Sequence, residues 1–236
     1  MKKLNIKNSN FEIDYLNYYI FTLVLFFSCI LFFDYPDTES SVGWLGQRSI
    51  ITHSILLPYL VLHFKLMEDS IIASIVVVGL FLGVGIHLSA DLHPMEWNGS
   101  TLIKFPGDIS IGGLSPAWIL INAVASLYLA SKLMMQITYS KKFLYTYLTI
   151  GLIIGSLYQL DNHHFEVAKL LTFVAIFLIT FFMQKKKLRA AILDKEKKIK
   201  ENKIFFRGDF WTYLMRTIII IPGILIGIFL FISLFL

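Results

Sequence analysis

Apolar residues along the chain fall into long runs that are separated by short polar segments. A membrane-crossing helix needs ~20 mostly apolar residues, and seven runs approach that length: Tyr18–Phe33, Ile50–Phe64, Ile71–Ala90, Pro116–Met135, Phe143–Leu160, Val167–Gln184 and Trp211–Leu236. The second run is short and contains Thr52, His53 and His63, so its ends are the least sharply defined. The pattern predicts an all-α bundle of about seven transmembrane spans.

The composition agrees with a membrane protein. The chain has 236 residues, of which 56% are hydrophobic and 16% are charged, and it contains 21 phenylalanines. These values are far from those of an average soluble domain. The one cysteine, Cys29, lies inside an apolar run and excludes an intrachain disulfide framework. We therefore expect residues 1–236 to form a single membrane-embedded domain.

The distribution of lysine and arginine predicts the orientation of the spans. If the N-terminus is cytoplasmic, all of the 21 basic residues except Arg48, Lys104 and Lys169 lie on the cytoplasmic side. The opposite breaks are acidic instead. Because positive charge is enriched in cytoplasmic loops, the sequence predicts a topology with the N-terminus inside and the C-terminus outside.

The longest polar break, residues 184–207, is strongly basic. It holds ten lysines and arginines, and Leu188, Ile192 and Ile199 fall near one face of a helix. Such a segment is typical of an amphipathic helix on an anionic membrane surface. We expect it to bind anionic lipid headgroups on the cytoplasmic side. Nucleic acid is a weaker alternative, because no aromatic interleaving or recognition motif accompanies the charges.

The candidate chemistry is carried by polar groups at the predicted outer ends of the spans. His87 and Asp91 are four residues apart, which places an imidazole and a carboxylate on the same face of a helix. Ionisable groups at the end of an apolar run are costly and usually mark function. A second stretch, Gln47–Ser54, would present Arg48 with Thr52, and Ser49 with His53, on successive turns at the mouth of the second helix.

These two stretches resemble a known pattern. Arg48-Ser49, Thr52-His53-Ser54, then Gly83, His87, Asp91 and Pro94, and finally Leu102 to Pro106, are similar to the motifs of the YdjM-like family of membrane-bound, metal-dependent hydrolases. The resemblance covers Gly46 to Pro106. Two departures are visible: Gln47 replaces the leading histidine of the family pattern, and the interval from Arg48 to His53 is one residue longer.

The resemblance implies a set of site residues. His53, His87 and Asp91 would be the metal ligands, with Arg48 as an anion-binding or structural partner. Asp37 is a candidate for the acidic residue that often precedes this pattern in the family. The imidazole content favours zinc as the divalent ion. His93, His163 and His164 are candidates for a general acid or base.

The location of this site predicts the substrate class. A site at the level of the outer lipid headgroups would act on a lipid, or on another phosphoester or ester, at the outer leaflet of a bacterial plasma (inner) membrane. Membrane lipid phosphatases with an H-x-x-x-D motif also require K-x6-R-P and P-S-G-H segments, which the sequence lacks.

Non-catalytic functions remain open from the sequence. The chain would then be a membrane sensor, scaffold or channel subunit in a larger complex, because clustered histidines can respond to pH without catalysis. His87 and Asp91 would in that case be a buried ion pair that holds the third helix against the second.

Overall fold

The computed structural model describes residues 6–41, 48–63, 71–94, 97, 101–106, 109–137, 141–161 and 167–184. Within these ranges the chain is mostly helical. Its helices are α1 (Ile6–Leu31), α2 (Leu56–His63), α3 (Ile71–Ala90), α4 (Ser115–Ile137), α5 (Lys141–Asp161) and α6 (Val167–Met183). The predicted seventh span, the basic segment after Gln184, His163 and His164 lie outside the described residues.

Four of the described helical stretches are long and apolar enough to cross a membrane. They are Tyr18–Thr38, Ile72–Ala90, Gly112–Ile137 and Lys142–Leu160. The apolar helix Val167–Met183 is shorter. The prediction of a helical protein with membrane-spanning character is confirmed at this level.

The second predicted span differs from its expectation. The predicted helix was to begin at Ile50, whereas the structure has turns and bends up to Ile55 and α2 begins at Leu56. The serines of this segment explain the late start, because they bond the local backbone: the Ser49 hydroxyl accepts from Ile51 N–H and the Ser54 hydroxyl from Leu56 N–H.

Helix α3 is the centre of the bundle. It is apolar on all sides, and 89% of its membrane-span window is buried, as expected for a helix that is surrounded by others. Its glycines allow close approach: an added Cβ would lie 1.9 Å from the Ser28 hydroxyl at Gly79 and 2.5 Å from the Cys29 carbonyl oxygen at Gly83. These contacts press α1 against α3.

Contacts between side chains fix the relative directions of the helices. Gly79 lies against Ser28 and Gly83 lies against Phe32, so α1 and α3 run parallel. Helix α5 runs with them, because Tyr18 bonds Thr146 while Phe33 packs on Tyr158. Helix α4 runs the opposite way, because Trp118 near its start bonds the His53 carbonyl and Ser131 near its end bonds Tyr147, close to the start of α5. Helix α6 is also antiparallel to α5, because Phe173 packs against Gly155 and Phe177 against Gly151. The C-terminal ends of α1, α3 and α5 therefore lie at the same end of the bundle.

A short β-ribbon, which the sequence did not predict, lies at this same end. Strand β1 (Lys104–Phe105) pairs antiparallel with β2 (Ile109–Ser110). Lys104 also forms a parallel bridge with Ser49. The bridge ties the segment before α2 to the segment before α4.

Candidate metal centre

The candidate site lies where α1, α3 and the segment before α2 meet. His87 is in the last turn of α3 and Asp91 follows that helix directly. Asp91 N–H donates to the His87 carbonyl over 3.1 Å, so the helical spacing continues through the aspartate. This spacing brings Asp91 Oδ2 to 3.3 Å from His87 Nε2.

His53 reaches the same point from another part of the chain. Its Nε2 atom lies 3.2 Å from Asp91 Oδ2, and its side chain is fully buried. The His53 backbone is held on both sides, since its N–H donates to the Ser49 carbonyl and its carbonyl accepts from the Trp118 indole N–H. A single α-turn and one tertiary hydrogen bond thus set the position of this imidazole.

A fourth group, Asp37, completes the cluster. Asp37 lies in the 3-10 turn Pro36–Ser41 that follows α1, and its side chain is 63% exposed. Its Oδ1 atom is 3.7 Å from His53 Nε2 and 3.6 Å from His87 Nε2. Asp37, His53 and His87 each offer one ligand atom within 4.8 Å of the others. Two histidines and an aspartate can therefore hold a metal ion here, with Asp91 beside them.

The separations suit a small tetrahedral cation. Ligand atoms about 2.0–2.1 Å from a tetrahedral zinc lie about 3.3–3.4 Å apart, and the four nitrogen–oxygen distances in the cluster are 3.2, 3.3, 3.6 and 3.7 Å. His87 Nε2 and Asp91 Oδ2 are buried and make no hydrogen bond with good geometry among the described residues.

The second ring nitrogen of each imidazole, Nδ1, lies near a hydroxyl group. His87 Nδ1 lies 2.8 Å from the Tyr158 hydroxyl on α5. His53 Nδ1 lies 3.3 Å from the Thr52 hydroxyl. A metal-binding histidine commonly donates its second ring N–H to such a partner, which fixes the tautomer and turns the other nitrogen toward the metal. Both imidazoles therefore have the surroundings of Nε2 ligands.

Arg48 supplies the positive charge of the cluster. One guanidinium nitrogen lies 2.9 Å from Asp91 Oδ1, and the other donates to the Thr101 carbonyl. The expectation that Arg48 shares a helical face with Thr52 is wrong, because Arg48 has a positive φ of 54° and lies outside any helix. Backbone bonds to Lys104 hold it there instead.

The charges around Asp91 keep it ionised. Burial opposes ionisation, but His87, His53 and the Arg48 guanidinium together lower the pKa of the Asp91 carboxyl well below its ordinary value. A metal ion binds imidazole in its neutral form. In that form of the site, two carboxylates and one guanidinium give the cluster one net negative charge. This balance favours a cation.

His93 has a hydrogen-bond partner outside the cluster. Its Nε2 atom lies 3.0 Å from the Thr172 hydroxyl on α6, so its ring contacts a different helix. Tyr158 was not predicted as a site residue, and no sequence signal marks it, since its contact with His87 joins residues 71 positions apart. The sequence indicated Asp37 only as a candidate for the acidic residue that often precedes the family pattern.

Comparisons of the chain with protein-family models, with curated proteins and with solved structures give no match.

Proposed function

We propose that this chain is a membrane-bound, metal-dependent hydrolase similar to the YdjM-like family, acting on a lipid or another phosphoester or ester at the outer leaflet. The observation that carries the proposal is the convergence of His53, His87, Asp91 and Asp37 on one point, with nitrogen–oxygen separations of 3.2 to 3.7 Å. The residues that carry the resemblance, Arg48, His53, His87 and Asp91, are residues that lie together in this cluster.

Zinc is the ion we propose for this ligand set, because two imidazoles with carboxylates suit zinc better than magnesium or calcium. When bound, such an ion supplies a Lewis acid that activates water and polarises an ester or phosphoester bond. The chain's own part is to position the two imidazoles through Tyr158 and Thr52. Both imidazoles are buried, which keeps bulk water from their ring faces.

The charge balance supports an anionic substrate. The cluster carries one net negative charge by itself, and a divalent cation changes this to one net positive charge. Arg48 lies beside Asp91 with a side chain that is 19% exposed, so a guanidinium fork borders the site. Such a fork suits the oxygens of a phosphate or carboxylate. We propose that Arg48 steadies negative charge that develops during hydrolysis.

The proposed topology places this chemistry at the outer membrane surface. The cluster lies at the end of the bundle where α1, α3 and α5 finish, and the lysine and arginine distribution favours the cytoplasm for the opposite end. A lipid headgroup would meet the cluster at this depth. We propose the bacterial plasma membrane as the location.

Metal binding without catalysis is the second candidate. It is favoured by the number of ligands, because four side-chain atoms can fill all positions of a tetrahedral ion, as in structural zinc sites. In that case the chain would be a metal-dependent sensor or scaffold. Asp37 decides between the two candidates, since it is the exposed member of the set and is therefore the group that a substrate or water would replace.

The test is hydrolysis by the full chain in vesicles. The purified protein is loaded with zinc, or separately with manganese, and presented with phospholipids and with soluble phosphomonoesters, phosphodiesters and carboxylic esters. Release of phosphate, headgroup or acid is measured beside His87→Ala and the matched control His63→Ala, whose imidazole lies at the end of α2 and stacks on Tyr59. We expect turnover that His87→Ala abolishes and His63→Ala retains.

The hydrolase proposal fails if the metal-loaded protein releases no more product than His87→Ala from every substrate class. Stoichiometric metal binding together with that result would leave the sensor or scaffold in its place.

A further inference from the structure

The β-ribbon carries a pair of exposed apolar side chains outside the membrane-crossing helices. Phe105 and Ile109 are opposite each other in the ribbon, with exposures of 46% and 67%. Side chains of directly opposed residues lie on the same face of a two-stranded ribbon. They therefore form one apolar surface, which we call the ribbon tip.

The ribbon tip continues a buried surface. Residues two apart on a strand share a face, so Ile103 and Ile111, whose backbones are bonded to each other, lie on the same face as the tip. Ile103 is fully buried in an apolar cluster with α3 and α4, and Ile111 packs against that cluster. The inner half of this face is thus anchored on the bundle, and its outer half extends past it.

Exposed apolar side chains are also present on α4, which follows the ribbon in the chain. Leu114, which immediately precedes α4, is 69% exposed, and Ile121 lies two turns further on the same side with an exposure of 65%. Ile121 lies within Gly112–Ile137, a stretch that is long and apolar enough to cross a membrane. If α4 crosses the membrane, Leu114 and Ile121 belong to one exposed apolar stripe that leads toward the segment carrying the ribbon.

We infer that the ribbon is a membrane-contacting element, whose Phe105 and Ile109 insert into the boundary between headgroups and acyl chains of the leaflet beside the cluster. The opposite face of the ribbon fits this position, because Lys104 and Ser110 form the neighbouring cross-strand pair. A lysine on the upper face and apolar groups below match the charge and depth profile of a phospholipid surface.

The ribbon is bonded to the segment that carries the cluster. Ile50 N–H donates to the Lys104 carbonyl over 2.7 Å, and Lys104 N–H donates to the Arg48 carbonyl over 3.0 Å. The depth of the ribbon in the leaflet thus sets the depth of Arg48. The inference concerns lipid contact alone and does not depend on any activity of the cluster.

The test measures the surroundings of single labels on the full chain in phospholipid vesicles. Cys29 is replaced by alanine, and an environment-sensitive fluorophore is attached at Ile109→Cys or, as the matched control on the other face, at Ser110→Cys. Quenching is measured with nitroxides placed just below the lipid headgroup and with aqueous iodide. We expect the Ile109 label to be blue-shifted and quenched several-fold more by the lipid nitroxide than the Ser110 label, and to resist iodide.

Two results would overturn the inference. Equal quenching of both labels by iodide would place the tip in water. Shielding of Ile109 from both quenchers, especially if it weakens as the protein is diluted in lipid, would assign the tip to a protein partner such as a second copy. Phe105→Cys is a second variant on the same face, so a folding defect in one variant leaves the other informative.

Discussion

The hydroxyl of Tyr158 should control the metal affinity of His87. If His87 Nε2 binds a cation, its proton must be on Nδ1, and the Tyr158 oxygen at 2.8 Å accepts it. Tyr158→Phe removes only this acceptor, since the ring that packs on Phe33 and His87 is kept. Loss of such a partner typically weakens metal binding by 10–100-fold. We expect about tenfold, or about 1.4 kcal/mol, because a neutral hydrogen bond contributes about 0.5–1.5 kcal/mol.

The assay is a zinc titration of the detergent-purified protein against a chelator of known affinity. Tyr147→Phe is the matched control: Tyr147 is on the same helix, is fully buried, and lies 3.1 Å from the Ser131 hydroxyl near the other end of the bundle. This control should lower the thermal stability and leave the zinc affinity unchanged.

Equal zinc affinity in the wild type and Tyr158→Phe would contradict a role for Tyr158 in metal binding. It would mean that His87 does not bind through Nε2 or that its Nδ1 partner has no influence. An equal loss of affinity in both tyrosine variants would point to general destabilisation instead.

Three further predictions concern packing, charge and topology. Gly83→Ala should destabilise the protein by about 1–3 kcal/mol, because the new methyl group would lie 2.5 Å from the backbone oxygen of Cys29. Arg48→Ala should lower the melting temperature more than Arg48→Lys, because lysine keeps a positive charge near the ionised Asp91 and alanine removes it. A cysteine at Ser110 should react with a membrane-impermeant maleimide in intact cells.

Each of these has its own comparison. Gly113→Ala meets no atom within 4 Å, so an equal loss of stability there would contradict the packing argument. The charge argument is wrong if both Arg48 variants melt at the same temperature. For topology, Gln136→Cys near the other end of α4 should react only after cell lysis, and labelling of Gln136→Cys in intact cells would reverse the proposed orientation.

Helical periodicity was sufficient to relate His87 to Asp91, because a spacing of four residues in an apolar helix leaves few alternatives. Helical periodicity does not describe Arg48, which lies outside any helix. A left-handed backbone at a residue other than glycine is rare, and it arises here from bonds to Lys104, more than 50 positions away. Local propensity contains no information about such a partner.

Tertiary contacts also explain what the sequence left out of the site. Tyr158 reaches His87 only because α5 runs parallel to α3, and Asp37 reaches both histidines only because the turn after α1 folds over the end of the bundle. The ribbon had a visible signal, since Pro106-Gly107 is a turn dipeptide between two apolar stretches. This signal was not used because it lies within the long polar segment between the third and fourth predicted spans.

Elemental mass spectrometry of the purified full chain is the direct test of whether His53 and His87 hold one metal ion. The measurement is made on the wild type, on His53→Ala and His87→Ala, and on His93→Ala, whose ring contacts Thr172. We predict about one zinc per chain in the wild type and in His93→Ala, and its loss in the other two variants. Folded wild-type protein that takes up no metal even on reconstitution would contradict the account.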